Sequence, residues 1–196
     1  MPSKDEIRKN IKNLFSQNRG HLAAENEQIC SRILTSPQYK NAAQIFAYMA
    51  LWDEVDLSPV IQSALRDGKK VALPKITDLE KGLMQFYYLD ASSTGPLKNQ
   101  TKKGSLGIDE PDETQLTPAD IDRNTDTLIL VPGRAFTKDG DRLGRGKGFY
   151  DIFLSSLTAG GTNDKNSITK AGVCFSFQLV DSIPATATDI RMDFIF

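Results

Sequence analysis

The sequence predicts an α/β fold: a single domain layered α/β/α around a largely parallel central sheet. Three observations carry this. Short apolar runs alternate with amphipathic helical stretches, the order expected of β–α–β units. The clearest strand candidate, residues 43–50 (AQIFAYMA), is nearly continuously apolar, as a strand covered on both faces must be. The chain of 196 residues suits one domain with one sizeable core. No internal repeat or biased linker divides it, so residues 1–196 are expected to form one unit.

Each element has a local reason. Ser3 can cap a first helix, in which Ile7, Ile11, Leu14 and Phe15 recur at helical spacing until Gly20. A second helix is predicted over 22–34, stopping before Pro37. Residues 43–50 form the first strand, and 57–66 a helix ended by Gly68. Residues 70–73 read as a strand closed by Pro74, which lacks the N–H a ladder needs. Residues 84–89 alternate and read as a strand, and 127–131 form another that feeds a glycine-rich segment. A helix over 149–157, a strand over 171–175 and a short last strand over 193–196 complete the order. The polar stretches 91–105 and 155–169 are expected to be flexible surface loops.

Composition narrows the class of partner. Lys and Arg number 24 against 25 Asp and Glu, a net charge of −1, so no global field draws the chain to nucleic acid or membrane. Cys30 and Cys174 form neither a disulfide framework nor a metal-ligand spacing, and Cys174 sits in the apolar run AGVCFSF as a core residue. The start MPSKDEIRKNIK carries no signal-like hydrophobic region. The longest apolar stretch, around 45–52, is too short to span a bilayer. A cytoplasmic monomer acting on small molecules is the expectation.

The most informative stretch is 130–154, LVPGRAFTKDGDRLGRGKGFYDIFL. Gly144, Gly146 and Gly148 alternate there with Arg145 and Lys147 and follow Arg142. Glycines allow sharp turns and close approach to a ligand, and inward peptide N–H groups make a nest for anions. The loop ends where a helix begins, and a helix N-terminus favours negative charge. Together these describe a phosphate-binding loop at a strand–helix junction. It is not a Walker A motif, because five residues separate Gly140 from Gly146 and Gly148 follows the lysine. It is not the dinucleotide fingerprint either, since Phe149 occupies its third glycine position. Residue types alone also allow a basic turn that merely connects strand to helix.

The order PG-x-AF-x-x-x-G-x-RLG-x-GKG-x-YD-x-FL resembles the signature of the 5-formyltetrahydrofolate cyclo-ligase family. Lys4-x-x-x-Arg8, IFAYMALWDEVD, GKKVALPK, GIDEP and a late Asp189 follow the family's order through most of the chain. Two departures stand out. Phe149 replaces the first of two tyrosines usual in the signature, and Thr137 stands where an acid is common, so no role is assigned to either position's missing group. The resemblance implies conversion of 5-formyltetrahydrofolate to 5,10-methenyltetrahydrofolate with ATP as co-substrate and Mg2+ as cofactor. ADP and phosphate would be the other products. The formyl oxygen would be phosphorylated, the neighbouring N10 amine would attack, and phosphate would leave.

The resemblance also implies site residues. Lys4, Arg8, Arg142, Leu143, Gly144, Arg145, Gly146, Lys147, Gly148, Phe149 and Tyr150 would hold ATP. Met49, Trp52, Glu54, Arg145, Gly146, Lys147, Gly148, Phe149 and Tyr150 would meet the folate. Arg145 and Lys147 would be catalytic, and Asp151 and Asp189 would hold Mg2+, with Asp193 an alternative to Asp189. The residues are consistent with these roles. Lys4 and Arg8 share a helix face in a first turn where cations are unfavourable unless an anion binds, although a solvated basic face would look the same. Magnesium on ATP needs only one or two carboxylates, although an aspartate near a helix start is often a cap. Glu54 could accept the paired N–H groups of a pterin, with Met49, Trp52 and Tyr150 packing on its flat face; a plain surface acid at a strand end is the alternative. His21, the only histidine, is expected to be exposed and inert. Two other functions fit the same scaffold: a transferase or isomerase of a phosphorylated metabolite, and a non-enzymatic nucleotide- or RNA-binding module.

Overall fold

The computed structural model describes residues 2–93, 97–158 and 168–196. Five α-helices and ten β-strands are present among them. The chain opens with α1 (Lys4–Asn18), capped by Ser3 in a reciprocal capping box with Glu6. Then come α2 (Leu22–Thr35) and the short α3 (Pro37–Asn41), whose start is set by Ser36 as cap and Pro37 in the first turn. The strand β1 (Gln44–Phe46), α4 (Ser58–Arg66), β2 (Lys70–Asp78) and β3 (Leu83–Tyr88) follow. Two small antiparallel hairpins are next to appear: β4 (Thr101–Lys103) with β5 (Asp109–Pro111), and β7 (Ala135–Phe136) with β8 (Arg142–Leu143). Between them runs β6 (Thr127–Pro132); α5 (Phe149–Thr158), β9 (Ile168–Val173) and β10 (Phe194–Ile195) end the chain.

The main sheet has the order β10-β9-β6-β1-β2-β3, with every neighbour parallel except β2 and β3. Successive strand residues face opposite sides, and the two cores follow that alternation. Ile45, Val71, Leu128 and Leu130 join α1, α2 and α4 in one core, while Phe46, Ala72, Ile129 and Val131 pack with α5 in the other. The predicted α/β/α layering is therefore observed.

This topology fixes where a ligand can bind. From β1 the chain crosses through α4 to β2 on one side; from β6 it crosses through α5 to β9 on the other. Adjacent strands β1 and β6 thus send their connections in opposite directions, which opens a crevice at their carboxyl ends.

Several boundaries differ from expectation. Only Gln44–Phe46 of the 43–50 run is in the ladder; Ala47 adds one bond to Ala72 and the chain then turns away. Pro74 does not close its strand, because β2 continues to Asp78 and Pro74 lies opposite Phe86 of β3. Val71 O accepts from Leu89 on the β3 side, so residues 72 and 74 direct their backbone groups toward β1. Paired residues of β1 stop at Phe46, so no ladder bond is lost at Pro74. The last strands are shifted, with β9 beginning at Ile168 rather than 171. The expected loop 91–105 contains a short helical turn (Leu97–Asn99) and β4, whose alternation is too short to read; residues 94–96 lie outside the described residues. Of the expected loop 155–169, the first residues belong to α5 and the last to β9, and 159–167 lie outside the described residues.

Candidate active site

A cleft of about 790 Å³ opens at that crevice, within the size range of small-molecule sites. Its floor comes from the ends of β1 and β6, through Tyr48, Met49, Pro132 and Gly133. One wall is the loop between β8 and α5 together with the first turn of α1. The facing wall is apolar: Pro74, Ile76 and Met84 from the β2–β3 pair, and Leu106 and Ile108 from the β4–β5 turn. Glu110 of β5 also lines this side, though almost fully buried, with Lys75 at 3.7 Å, and burial pushes its carboxyl up.

The glycine-rich segment lies between β8 and α5. The chain does not pass directly from β6 into it, but first makes the β7–β8 hairpin, so Arg142 and Leu143 are strand residues and the loop proper is Gly144–Gly148. Gly146 and Gly148 adopt φ of +99° and +74°, a region costly for any residue with a Cβ. The peptide N–H groups of residues 145–148 have no acceptor among the described residues, and the Lys147 ammonium has no carboxylate partner there. Four N–H groups without an acceptor among the described residues, beside a lysine and at the N-terminus of a ten-residue helix, are an arrangement that can hold an anion.

Almost every predicted site residue reaches the cleft. Lys4, Arg8, Met49, Glu54, Arg142, Leu143, Gly144, Arg145, Gly146, Lys147, Gly148, Phe149, Tyr150, Asp151 and Asp189 all line it. Arg8 donates from Nε to Gly144 O at 3.1 Å and from Nη1 to Asp5 at 2.7 Å, which docks α1 against the loop. Arg142 is buried, donating to Pro132 O (3.2 Å) and Asp151 Oδ2 (2.9 Å), with its Nε unpaired. The Tyr150 hydroxyl is likewise buried without a partner among the described residues, and burial pushes its pKa far up.

Trp52 is the exception. It is 68% exposed, packs edge-on against Phe15 at 6.1 Å between ring centroids, and does not line the cleft. The cause is a tight turn: Glu54 N donates to Leu51 O (3.1 Å), and Glu54 Oε2 accepts from Leu51 N (2.9 Å). The second residue of such a turn points away from the chain ends it joins. Trp52 is thrown outward, and Leu51 lines the cleft in its place.

Two residues that sequence reasoning missed lie behind this turn. Asp53 is fully buried and accepts from Arg134 on Oδ2 and from Arg145 on Oδ1. Arg145 also donates to Glu54 Oε1 from Nε (3.0 Å) and Nη2 (2.9 Å). Burial would lower the Arg145 pKa, but its hydrogen bonds and charge attraction to these two acids raise it overall. Asp53 and Arg134 are 81 residues apart, so no local pattern could have paired them.

Both metal candidates line the cleft. Asp151 accepts from Arg142 and, weakly, from Ile190 N at 3.5 Å; Asp189 accepts from Lys4 at 2.7 Å. Burial works against the Asp189 charge, yet the bonds from Lys4 and Thr186 lower its pKa overall. Asp193 pairs instead with Lys170 and does not line the cleft. Two oxygen-donor acids near a phosphate nest suit a hard cation completed by phosphate and water, and no cluster of three potential ligands exists among the described residues. Both cysteines are buried and free, and His21 is exposed. No helix among the described residues is long and apolar enough to cross a membrane.

Known proteins resemble this chain in sequence and in fold. An NMR structure of the Aquifex aeolicus 5,10-methenyltetrahydrofolate synthetase superposes with a TM-score of 0.72 at 28% identity, covering 98% of this chain and 88% of that one. The 5-formyltetrahydrofolate cyclo-ligase of Mus musculus is 26% identical over 96% of this chain and 88% of its own length. That of Escherichia coli K12 is 27% identical over 91% and 93%. The sequence model of the 5-formyltetrahydrofolate cyclo-ligase family matches residues 1–196. The transferase, isomerase and binding-module alternatives are thereby displaced: the chain belongs to the 5-formyltetrahydrofolate cyclo-ligase family.

Proposed function

We propose that this protein closes 5-formyltetrahydrofolate to 5,10-methenyltetrahydrofolate with ATP and Mg2+, as a cytoplasmic monomer. The observation that carries the reading is the nest of unpaired N–H groups and Lys147 facing an apolar wall across one cleft. The nest and Lys147 take the ATP phosphates, with Lys4 and Arg8 at the far end. The apolar wall and Met49 take the flat pterin, and Glu54 accepts its paired N–H groups. Tyr150, with its unpartnered hydroxyl, lies at the junction, and Phe149 contributes only its ring.

The formyl group is amide-like, and its oxygen leaves badly as hydroxide. Transfer of the γ-phosphoryl group to that oxygen makes it part of a phosphate leaving group. The N10 amine then attacks the formyl carbon, loses its proton, and phosphate departs. Such a transfer needs positioning and charge neutralisation rather than a protein nucleophile. Arg145 and Lys147 neutralise the moving phosphoryl group. Asp151 and Asp189 would hold Mg2+, which would supply charge neutralisation at the phosphates.

The test is direct. Protein, 5-formyltetrahydrofolate, ATP and Mg2+ are mixed, and the methenyl chromophore is followed. Formation that needs both ATP and metal is expected. Full turnover without nucleotide would overturn the reading.

A further inference from the structure

We propose that Asp53 is a positioning residue for Arg145, with Arg134 as its permanent counter-ion. The inference rests on the reading of Arg145 as the group that meets the transferred phosphoryl. Three observations carry it. First, Asp53 has no exposed surface, so its charge must be compensated inside the protein. Each of its oxygens takes a different guanidinium: Oδ2 takes Arg134 and Oδ1 takes Arg145. Second, the three groups come from different places around the crevice. Asp53 follows β1, Arg134 begins the β7 side of the hairpin and is tied by its own N–H to Leu143 O at 2.6 Å, and Arg145 lies in the phosphate loop. Asp53 therefore clamps the end of β1 to both arms of the segment after β6.

Third, Arg145 has two carboxylate partners of unequal permanence. Glu54 lines the cleft and Asp53 does not. When Glu54 turns its oxygens to a pterin, Arg145 loses that partner and keeps Asp53. The arginine is then aimed by a group no ligand can reach. The charge balance also matters. Asp53 alone would cancel the Arg145 charge, but Arg134 shares the carboxylate. Arg145 thus keeps positive character for phosphate.

The experiment is a double-mutant cycle on the full-length protein. For wild type, D53N, R145A and D53N/R145A, kcat is measured by methenyl absorbance. The affinity for a non-hydrolysable ATP analogue with Mg2+ is measured by calorimetry. D53N places an amide donor against a guanidinium, and a lost charged hydrogen bond corresponds to about tenfold or more. We expect kcat to fall by that factor with a cooperative thermal transition retained. In the R145A background D53N should change neither quantity by more than about twofold, because coupled residues are non-additive. A purely structural Asp53 would cost the same factor in both backgrounds, and that result overturns the proposal, as does wild-type kcat in D53N. If D53N does not fold, R134M replaces it in the cycle. With its counter-ion gone, Asp53 should mask Arg145 and weaken analogue binding several-fold, only where Arg145 is present. Equal weakening with and without Arg145 overturns the proposal. R145A behaving as wild type would instead refute the reading of Arg145 itself.

Discussion

The cleft holds its cations in two different ways at its two ends. At one end, Lys4 pairs with Asp189, both about a quarter exposed, while the buried Arg142 pairs with Asp151, which keeps 23% of its side chain exposed. Beside β1, Arg134 and Arg145 share Asp53, which has none. A partly exposed ion pair such as Lys4–Asp189 is worth about 0–1 kcal/mol, so Asp189 can exchange its lysine for a metal at little cost. A fully buried acid cannot be left without its partner, since breaking such a pair costs about 3–5 kcal/mol. One end is suited to exchange with ligands; the other is suited to holding a side chain still. Lys147 also lines the cleft and has no carboxylate partner among the described residues.

The largest test of this difference is metal removal. A chelator should reduce turnover by at least about a hundredfold while leaving the thermal midpoint nearly unchanged, since the pairs with Lys4 and Arg142 persist without metal. Paired rate and melting measurements check this. Loss of the fold on chelation would mean that the exchanging end is structural.

Next comes the unpaired lysine. Lys147→Ala removes an interaction with a charged group worth about 1.5–3 kcal/mol, so kcat/KM should fall about ten- to a hundredfold. Unchanged kinetics in a folded variant would remove the loop from the site. A smaller effect of mixed sign is expected at the exchanging end. Lys4→Met should raise the KM for ATP by a few-fold, as suits a pair worth about 1 kcal/mol or less. It should also tighten Mg2+ binding, because Asp189 loses a competing cation. Calorimetric titration of Mg2+ into the variant separates the two; weaker metal binding would contradict the exchange.

The cysteines should do nothing. Burial pushes the Cys30 thiol up to about 11 and the Cys174 thiol up to about 12. Both stay protonated at pH 8, so alkylation should be negligible until the protein unfolds. The sign follows from the raised values. The native state keeps thiols that the unfolded chain would ionise, so this stabilisation is full below the ordinary thiol value, roughly 8.5. It is lost as pH rises through about 11 for Cys30 and about 12 for Cys174. Rapid labelling of the native protein at pH 8 would show the thiols to be accessible.

Much of this was legible in the sequence, for identifiable reasons. The loop and α5 were readable because glycine spacing and helix start signals are local. The layered fold was readable because β1 and β6 are apolar on both faces. Trp52 was not, because its direction depends on a turn closed by Glu54 reaching back to Leu51 N. The strand through Pro74 was hidden because only the pairing pattern shows which side lacks a donor. The apolar wall draws on Leu106 and Ile108, which follow the polar stretch 91–105 in the turn between β4 and β5, strands too short to read. Asp53 with Arg134 depends on tertiary contact alone.

In the proposed reading the cleft divides, with Glu54 on the folate side and the loop on the nucleotide side. Glu54→Gln keeps the size of the side chain and exchanges one acceptor for a donor, so it tests the claim most directly. Calorimetry should be run with 5-formyltetrahydrofolate and with a non-hydrolysable ATP analogue separately. The account predicts a marked loss of folate affinity, about tenfold or more for one charged hydrogen bond, with analogue affinity nearly unchanged. Weakened nucleotide binding with folate binding spared would contradict it and reverse the orientation of the substrates across the cleft.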